Sequence, residues 1–367
     1  MKRKMIASII ITVLLLVAGG FAYTHLPKFG STPKGERLKR IHNSPNYRDG
    51  RFQNINSTPQ ITENTWNAIF QSSSKQRKPK NKIPAVKTEL TELNPQENLL
   101  VWFGHSSCYF QVGGKRFLVD PVLSRAASPV PFVNTAFAGT DLYNPSDIPD
   151  IDYLIITHDH WDHLDYPTVK ELKPRIGKVI CPIGVGEHFA RWNFDESSII
   201  EMDWEDTAAL DSGFEIYCFP ARHFSGRGFK PRQSLWASFL LKAGTFTIFM
   251  GGDGGYDTHF ASIGNRFGSI DLALLENGQY NKAWKYIHMM PEETLQAGRD
   301  LNAKNVIPIH NSKFALSRHS WDEPMQRITA ANMKHPNPLR LLTPSIGEIV
   351  FLNDTTQKFG QWWQETE

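Results

Sequence analysis

The spacing of apolar and polar positions divides the chain into three zones. After Lys2, Arg3 and Lys4 comes an uncharged run from Met5 to Tyr23, rich in Ile, Leu and Val and without an amphipathic period. It approaches the roughly 20 residues needed to cross a bilayer and exceeds the roughly 7 to 15 of a signal-peptide core, which favours an uncleaved anchor. Cleavage near Gly20-Phe21-Ala22 is the alternative. The positive flank should stay cytoplasmic, leaving everything after His25 on the far side. Residues 1–26 are therefore read as a membrane anchor or signal helix. From 27 to 98 the chain is rich in Pro, Asn, Ser, Lys and Arg, with only short apolar patches such as Trp66 to Phe70. That texture predicts a linker or a loosely packed lead-in.

From residue 99 to the end, short apolar runs bounded by Gly, Pro and Asp alternate with helix-compatible stretches, the texture of a layered α/β domain. Leu99 to Phe103, Cys108 to Val112 and Arg116 to Val119 read as strands, the last two joined by a Gly113-Gly114 turn. Ile151 to Thr157 is another, after which Asp165 is placed to cap a helix beginning near Pro167. Further strands are expected at Phe214 to Pro220, Leu235 to Leu241, Thr245 to Gly251, Leu272 to Leu275, Val306 to Ile309 and Glu348 to Leu352. No internal repeat or low-complexity tract stands out.

Composition changes this picture little. Apolar residues at 40% and charged residues at 21% allow a sizeable core and argue against global disorder. The formal charge of +3 is small for 367 residues and gives no case for nucleic-acid binding. Three cysteines, Cys108, Cys181 and Cys218, sit in strand-like apolar contexts and read as buried thiols; an odd count at wide spacing is no disulfide framework.

The chemistry lies where strands end. His158, His160, Asp162 and His163 crowd into six residues directly after an apolar strand. Imidazoles and carboxylates gathered this closely repel and desolvate one another unless a cation offsets the cost, and they suit zinc and neighbouring divalent metals. His223, Asp253 and His310 likewise follow expected strands. Singly each is bland: a strand-end histidine is usually just hydrogen-bonded, and Asp253 within Gly251-Gly252-Asp253-Gly254-Gly255 could be a turn aspartate. Asp159 and Trp161 fill the free positions of the first cluster and are expected to face away from it.

The segment His158 to His163 resembles the HxHxDH loop of the metallo-β-lactamase superfamily, and His223, Asp253 and His310 match that superfamily's later ligands. Within it, the chain is most similar to the N-acyl phosphatidylethanolamine-hydrolysing phospholipase D branch, with its ascorbate-phosphate lactonase-like relatives. Supporting matches are Trp102-Phe103-Gly104-His105, Asp120 before Pro121, and His288-Met289-Met290-Pro291-Glu292-Glu293 before a helix. The likeness covers about Arg51 to Phe351.

The resemblance implies a four-layer αββα sandwich and two divalent ions, most simply Zn2+. His158, His160 and His223 would bind one; Asp162, His163 and His310 the other; Asp253 would bridge them. The shared water would become the attacking hydroxide, oriented by Asp162. His288 would bind phosphate or protonate the leaving group, the alternative being a plain helix-cap histidine. Asp120 would orient a ligand imidazole, unless it merely ends a strand before Pro121. His105 could play a similar part but is not assigned to the site. Tyr280, Trp284 and Tyr286 could wall a groove or belong to the core.

Three functions are consistent with these residues. The first is a phosphodiesterase acting on a phospholipid headgroup bond, beside the membrane that the anchor implies. The second is hydrolysis of a lactone, carbonyl ester or β-lactam by the same machinery. The third is a tethered binding protein that has lost catalysis, disfavoured because every ligand position holds a competent residue. A nuclease of the same superfamily would want a basic domain that the chain lacks.

Overall fold

The computed structural model describes residues 2–62 and 73–365, so the patch Trp66 to Phe70 lies outside the described residues. The N-terminal run forms α1 (Lys2–Thr24), whose apolar span is exposed along most of its length and meets the domain only at its last turn, where Tyr23 donates to the Pro129 carbonyl. Length and composition suffice for crossing a membrane.

Among its described residues, the stretch read as a linker or loosely packed lead-in is anchored to the domain at a few points. It contains α2 (Gly35–Asn43) and a hairpin of β1 (Tyr47–Arg48) and β2 (Arg51–Phe52). Ile41, Phe52 and Ile83 join the core between the sheets described below, and Leu90 a second core. Arg37 of α2 pairs with Glu187 at 2.8 Å, Glu196 at 2.7 Å and Glu201 at 2.7 Å. Such docking leaves no periodic trace, because each apolar residue stands alone and fills one gap.

Continuous apolar runs produce strands buried on both faces. The first sheet holds β3 (Leu99–Trp102), β4 (Cys108–Val112), β5 (Lys115–Val119), β6 (Ile151–Ile155), β7 (Ile176–Pro182) and β8 (Ile199–Met202). The second holds β9 (Thr207–Ala209), β10 (Phe214–Phe219), β11 (Ser238–Ala243), β12 (Phe246–Met250), β13 (Leu272–Glu276), β14 (Asn305–Ile309) and β15 (Arg340–Leu341), while β16 (Ile349–Phe351) returns to the edge of the first. The orders are β16-β3-β4-β5-β6-β7-β8 and β15-β14-β13-β12-β11-β10-β9. In each sheet the antiparallel pairings lie at one side and the parallel ones at the other, a shared plan without any visible sequence repeat. The turn residues Gly113 and Gly114 have φ of 56° and 75°, values a type I′ hairpin needs and glycine supplies freely.

Strand alternation builds the layers. In β3, Leu100 and Trp102 face the core between the sheets, whereas Leu99 and Val101 face α3 (Tyr166–Leu172) and α4 (Gly186–Arg191). In β12, Ile248 and Met250 point to the same inner core and Phe249 to α5 (His259–Phe267) and α6 (Pro291–Asp300). α7 (Glu323–Met333) packs on α6. The result is the expected αββα sandwich. Asp165 stands at the N-cap of α3, but its carboxylate takes the hydroxyls of Ser124 and Thr168 instead of capping the backbone. All three cysteines are free and buried.

Candidate metal centre

The parallel strands of both sheets end at one rim, and there the histidine loop meets its distant partners. The loop 158–163 follows β6, His223 follows β10, Asp253 follows β12 and His310 follows β14. Gly252, at φ +60°, lets the end of β12 pass the loop; a Cβ there would come within 2.8 Å of the Thr157 Cβ. His105, Asp120 and His310 adopt φ of 53°, 42° and 66°, a conformation non-glycine residues hold only where surroundings enforce it.

Two clusters result. In the first, His158 Nε2 lies 2.9 Å and His223 Nε2 3.2 Å from His160 Nδ1. In the second, Asp162 Oδ2 lies 2.9 Å from His105 Nε2, 3.3 Å from His310 Nε2 and 3.6 Å from His163 Nε2. Asp253 stands between them, Oδ1 3.1 Å from His163 Nε2, Oδ2 3.1 Å from His310 Nε2 and 3.9 Å from His223 Nε2. Nitrogens facing nitrogens at these separations are close to the spacing of about 3.3 Å between imidazole ligands on one tetrahedral zinc. His163 Nε2 and Asp253 Oδ1 are buried without a partner in hydrogen-bond geometry. A donor set of imidazoles and carboxylates with such orphaned atoms fits divalent-metal binding.

Electrostatics agree. Burial, together with neighbouring imidazoles, holds His158 and His223 well below the usual histidine range, in the neutral form that ligates. Burial also opposes charge on His163, but Asp253, Asp162 and Asp120 outweigh it and raise this group to about 10. His310 is raised well above its ordinary value in the same way, burial being overcome chiefly by Asp253.

Hydrogen bonds outside the clusters aim the rings. Asp120 accepts from His163 Nδ1 at 2.8 Å and is itself held by the Thr157 amide at 2.8 Å and hydroxyl at 2.6 Å. His223 Nδ1 donates to the Ile287 carbonyl at 2.9 Å. Each bond leaves Nε2 to face the cluster. Asp159 and Trp161 do turn elsewhere: Asp159 meets His188 at 3.0 Å and Ser234 at 2.8 Å, and Trp161 stacks under Arg227 at 3.9 Å.

His288 reaches the same place. Its ring lies 5.1 Å from that of His223 and stacks on His310 at 5.4 Å, and its Nδ1 contacts Glu276 Oε1 at 2.5 Å. It takes no part in capping α6, where Glu293 closes on the Met290 amide at 2.8 Å. A cavity of about 330 Å³ opens over the clusters, walled by Ile61, Phe224, Trp284, Ile287 and Leu316 beside His288. Of the aromatics considered for a groove, only Trp284 lines it; Tyr280 is buried on Glu323 and Tyr286 stacks with Arg222. Glu276 and His105 belong to the site but were not assigned to it from sequence. Both follow the rule that found the others, a polar residue just past an apolar strand, although Glu276 closes its strand and reads there as an edge residue.

Fold and residue set together define a metal-dependent hydrolase. A model of the β-lactamase superfamily domain matches residues 115–311, and the chain belongs to the metallo-β-lactamase superfamily. An uncharacterized protein of Mycobacterium tuberculosis is 34% identical over 334 residues, 88% of each chain. The N-acyl-phosphatidylethanolamine-hydrolyzing phospholipase D 1 of Caenorhabditis elegans is 28% identical, over 72% of this chain and 80% of its own length. A metallo hydrolase from the archaeon Ignicoccus hospitalis shares the fold with a TM-score of 0.54 at 21% identity, covering 70% of this chain and 98% of that one.

Proposed function

We propose that the protein is a dinuclear zinc phosphodiesterase that cleaves an N-acyl phosphatidylethanolamine-like phospholipid in the phospholipase D manner. His158, His160 and His223 would hold one ion, Asp162, His163 and His310 the other, with Asp253 between them. When bound, such a pair lowers the pKa of a shared water toward neutrality and takes up charge on a phosphoryl oxygen.

The observation that carries the phosphoryl reading is His288. Its Nδ1 is held by Glu276, so Nε2 is the nitrogen left to meet a bound diester in the cleft. Water adds to phosphorus, the bond from phosphorus to the headgroup oxygen breaks, and a proton from His288 leaves with the alcohol. Ile61, Phe224, Trp284 and Leu316 give an apolar wall suited to an acyl chain. The likeness to the nematode phospholipase D supports the same substrate class. The exposed apolar α1 supports a membrane-held enzyme, and the basic flank Lys2-Arg3-Lys4 is the ground for proposing that its catalytic domain lies on the non-cytoplasmic side.

The test uses the zinc-loaded full chain in mixed micelles with N-acyl phosphatidylethanolamine and, separately, with lactone and β-lactam substrates. Phosphatidic acid and N-acylethanolamine in equal amounts, lost in His288→Ala, are the expected products. Turnover of lactones or β-lactams with no phosphodiester cleavage would overturn the proposal.

A further inference from the structure

The far end of α1 is bolted to the domain beside the histidine loop. Tyr23 and Lys28 both donate to the Pro129 carbonyl, each at 2.7 Å, and Arg227 donates to the Lys28 carbonyl at 2.9 Å. Arg191 holds the His25 carbonyl and Trp192 the Pro27 carbonyl, each at 2.8 Å. Phe29 meets the edge of Trp161 at 5.2 Å, one residue from His160.

Two loops flanking this junction present apolar side chains to solvent. The uncharged loop Ser128-Pro129-Val130-Pro131-Phe132-Val133 exposes Phe132 by 80% and Val133 by 41%. Phe132 is three residues from the carbonyl gripped by Tyr23, a reach of at most about 10 Å. The other loop exposes Phe229 by 87% and helps line a cavity of about 780 Å³ shared with Phe21, His25 and Phe29 of the α1 end. Large aromatics left this open on two loops around one anchor form a patch that needs a partner.

Charge selects the partner. No acidic residue precedes Glu36, while Lys28, Lys34 and Lys230 lie along this stretch and beside Phe229. Cations among exposed aromatics suit anionic lipid headgroups, with the rings at the boundary between headgroups and acyl chains.

We infer that Phe132, Val133 and Phe229 insert into the interface of an anionic bilayer, so that the domain rests against the membrane on this rim instead of swinging freely from α1. The inference rests on α1 being a membrane anchor. It presents the histidine-loop side of the domain to the lipid surface, because Trp161 joins that loop to the junction.

Because Cys108, Cys181 and Cys218 are buried, single introduced cysteines can be labelled selectively in the full chain. Phe132→Cys, Phe229→Cys, Leu15→Cys within α1 and Met333→Cys, at a position 70% exposed, would carry a nitrobenzoxadiazole fluorophore in vesicles of phosphatidylcholine and phosphatidylglycerol. Lipids spin-labelled near the headgroup should quench positions 132 and 229 several-fold more than position 333, and lipids labelled deep in the chain should quench position 15. Quenching at 132 and 229 no greater than at 333, with position 15 still quenched, would overturn the rim while leaving the anchor. Absence of quenching at position 15 would overturn the anchor and the rim with it.

Discussion

Replacing Asp120 by Asn alters one acceptor without changing the shape of the side chain. Asp120 Oδ2 receives the His163 Nδ1 proton at 2.8 Å and the Thr157 hydroxyl at 2.6 Å, and Oδ1 receives the Thr157 amide at 2.8 Å. Asparagine can keep the amide bond, but its NH2 then faces the Nδ1–H of His163. Relief requires the imidazole to carry its proton on Nε2, the nitrogen 3.1 Å from Asp253. A protonated nitrogen offers no lone pair to a metal. Loss of such an orienting bond costs about 10- to 100-fold in metal affinity, which is about 1.4–2.7 kcal/mol. The cluster of His158, His160 and His223 has no bond to Asp120 and should keep its ion. Chelator competition on D120N should therefore show one zinc weakened by that factor and one unchanged. Wild-type affinity for both ions would refute the role given to Asp120.

Three other outcomes are expected. His288→Ala should lower phosphodiesterase turnover by about 100- to 10,000-fold with metal content intact by mass spectrometry; wild-type turnover would exclude His288 from the chemistry. Zinc loading should release protons, because His163, raised to about 10, and His310 are protonated without metal at neutral pH. Affinity should accordingly fall as pH is lowered, and calorimetry in buffers of different ionisation heat would contradict this by showing no proton release. Arg37→Ala leaves Glu187 and Glu201, whose side chains are 5% and 3% exposed, without their shared partner. Glu201 keeps Arg40 at 3.5 Å, so the loss costs about 1–3 kcal/mol and should lower the midpoint of thermal unfolding; an unchanged midpoint would mean that the Arg37 ion pairs contribute nothing to holding the fold.

Strands and candidate ligands were legible because both obey local rules. Leu99 to Trp102 or Leu272 to Glu276 cannot be solvated on either face, and a polar residue straight after such a run marks the sheet rim where a site assembles. Runs with weaker local signals were missed: Ile176–Pro182 carries Lys178, and Ile199–Met202 is interrupted by Glu201, which faces Arg37. The packing of α2 and of Phe52 depends on partners more than a hundred residues away, as between Arg37 and Glu187, so composition alone suggested a linker. Glu276 escaped for a related reason. Its meaning comes from His288 and Gly254, which only the fold brings to it.

The pairing of two cations is tested most directly by anomalous scattering from crystals of the zinc-loaded full chain. Two peaks are expected, one contacted by His158, His160 and His223, the other by Asp162, His163 and His310, with Asp253 reaching both. A single peak, or one held instead by Glu276, His288 and His310, would contradict the dinuclear site.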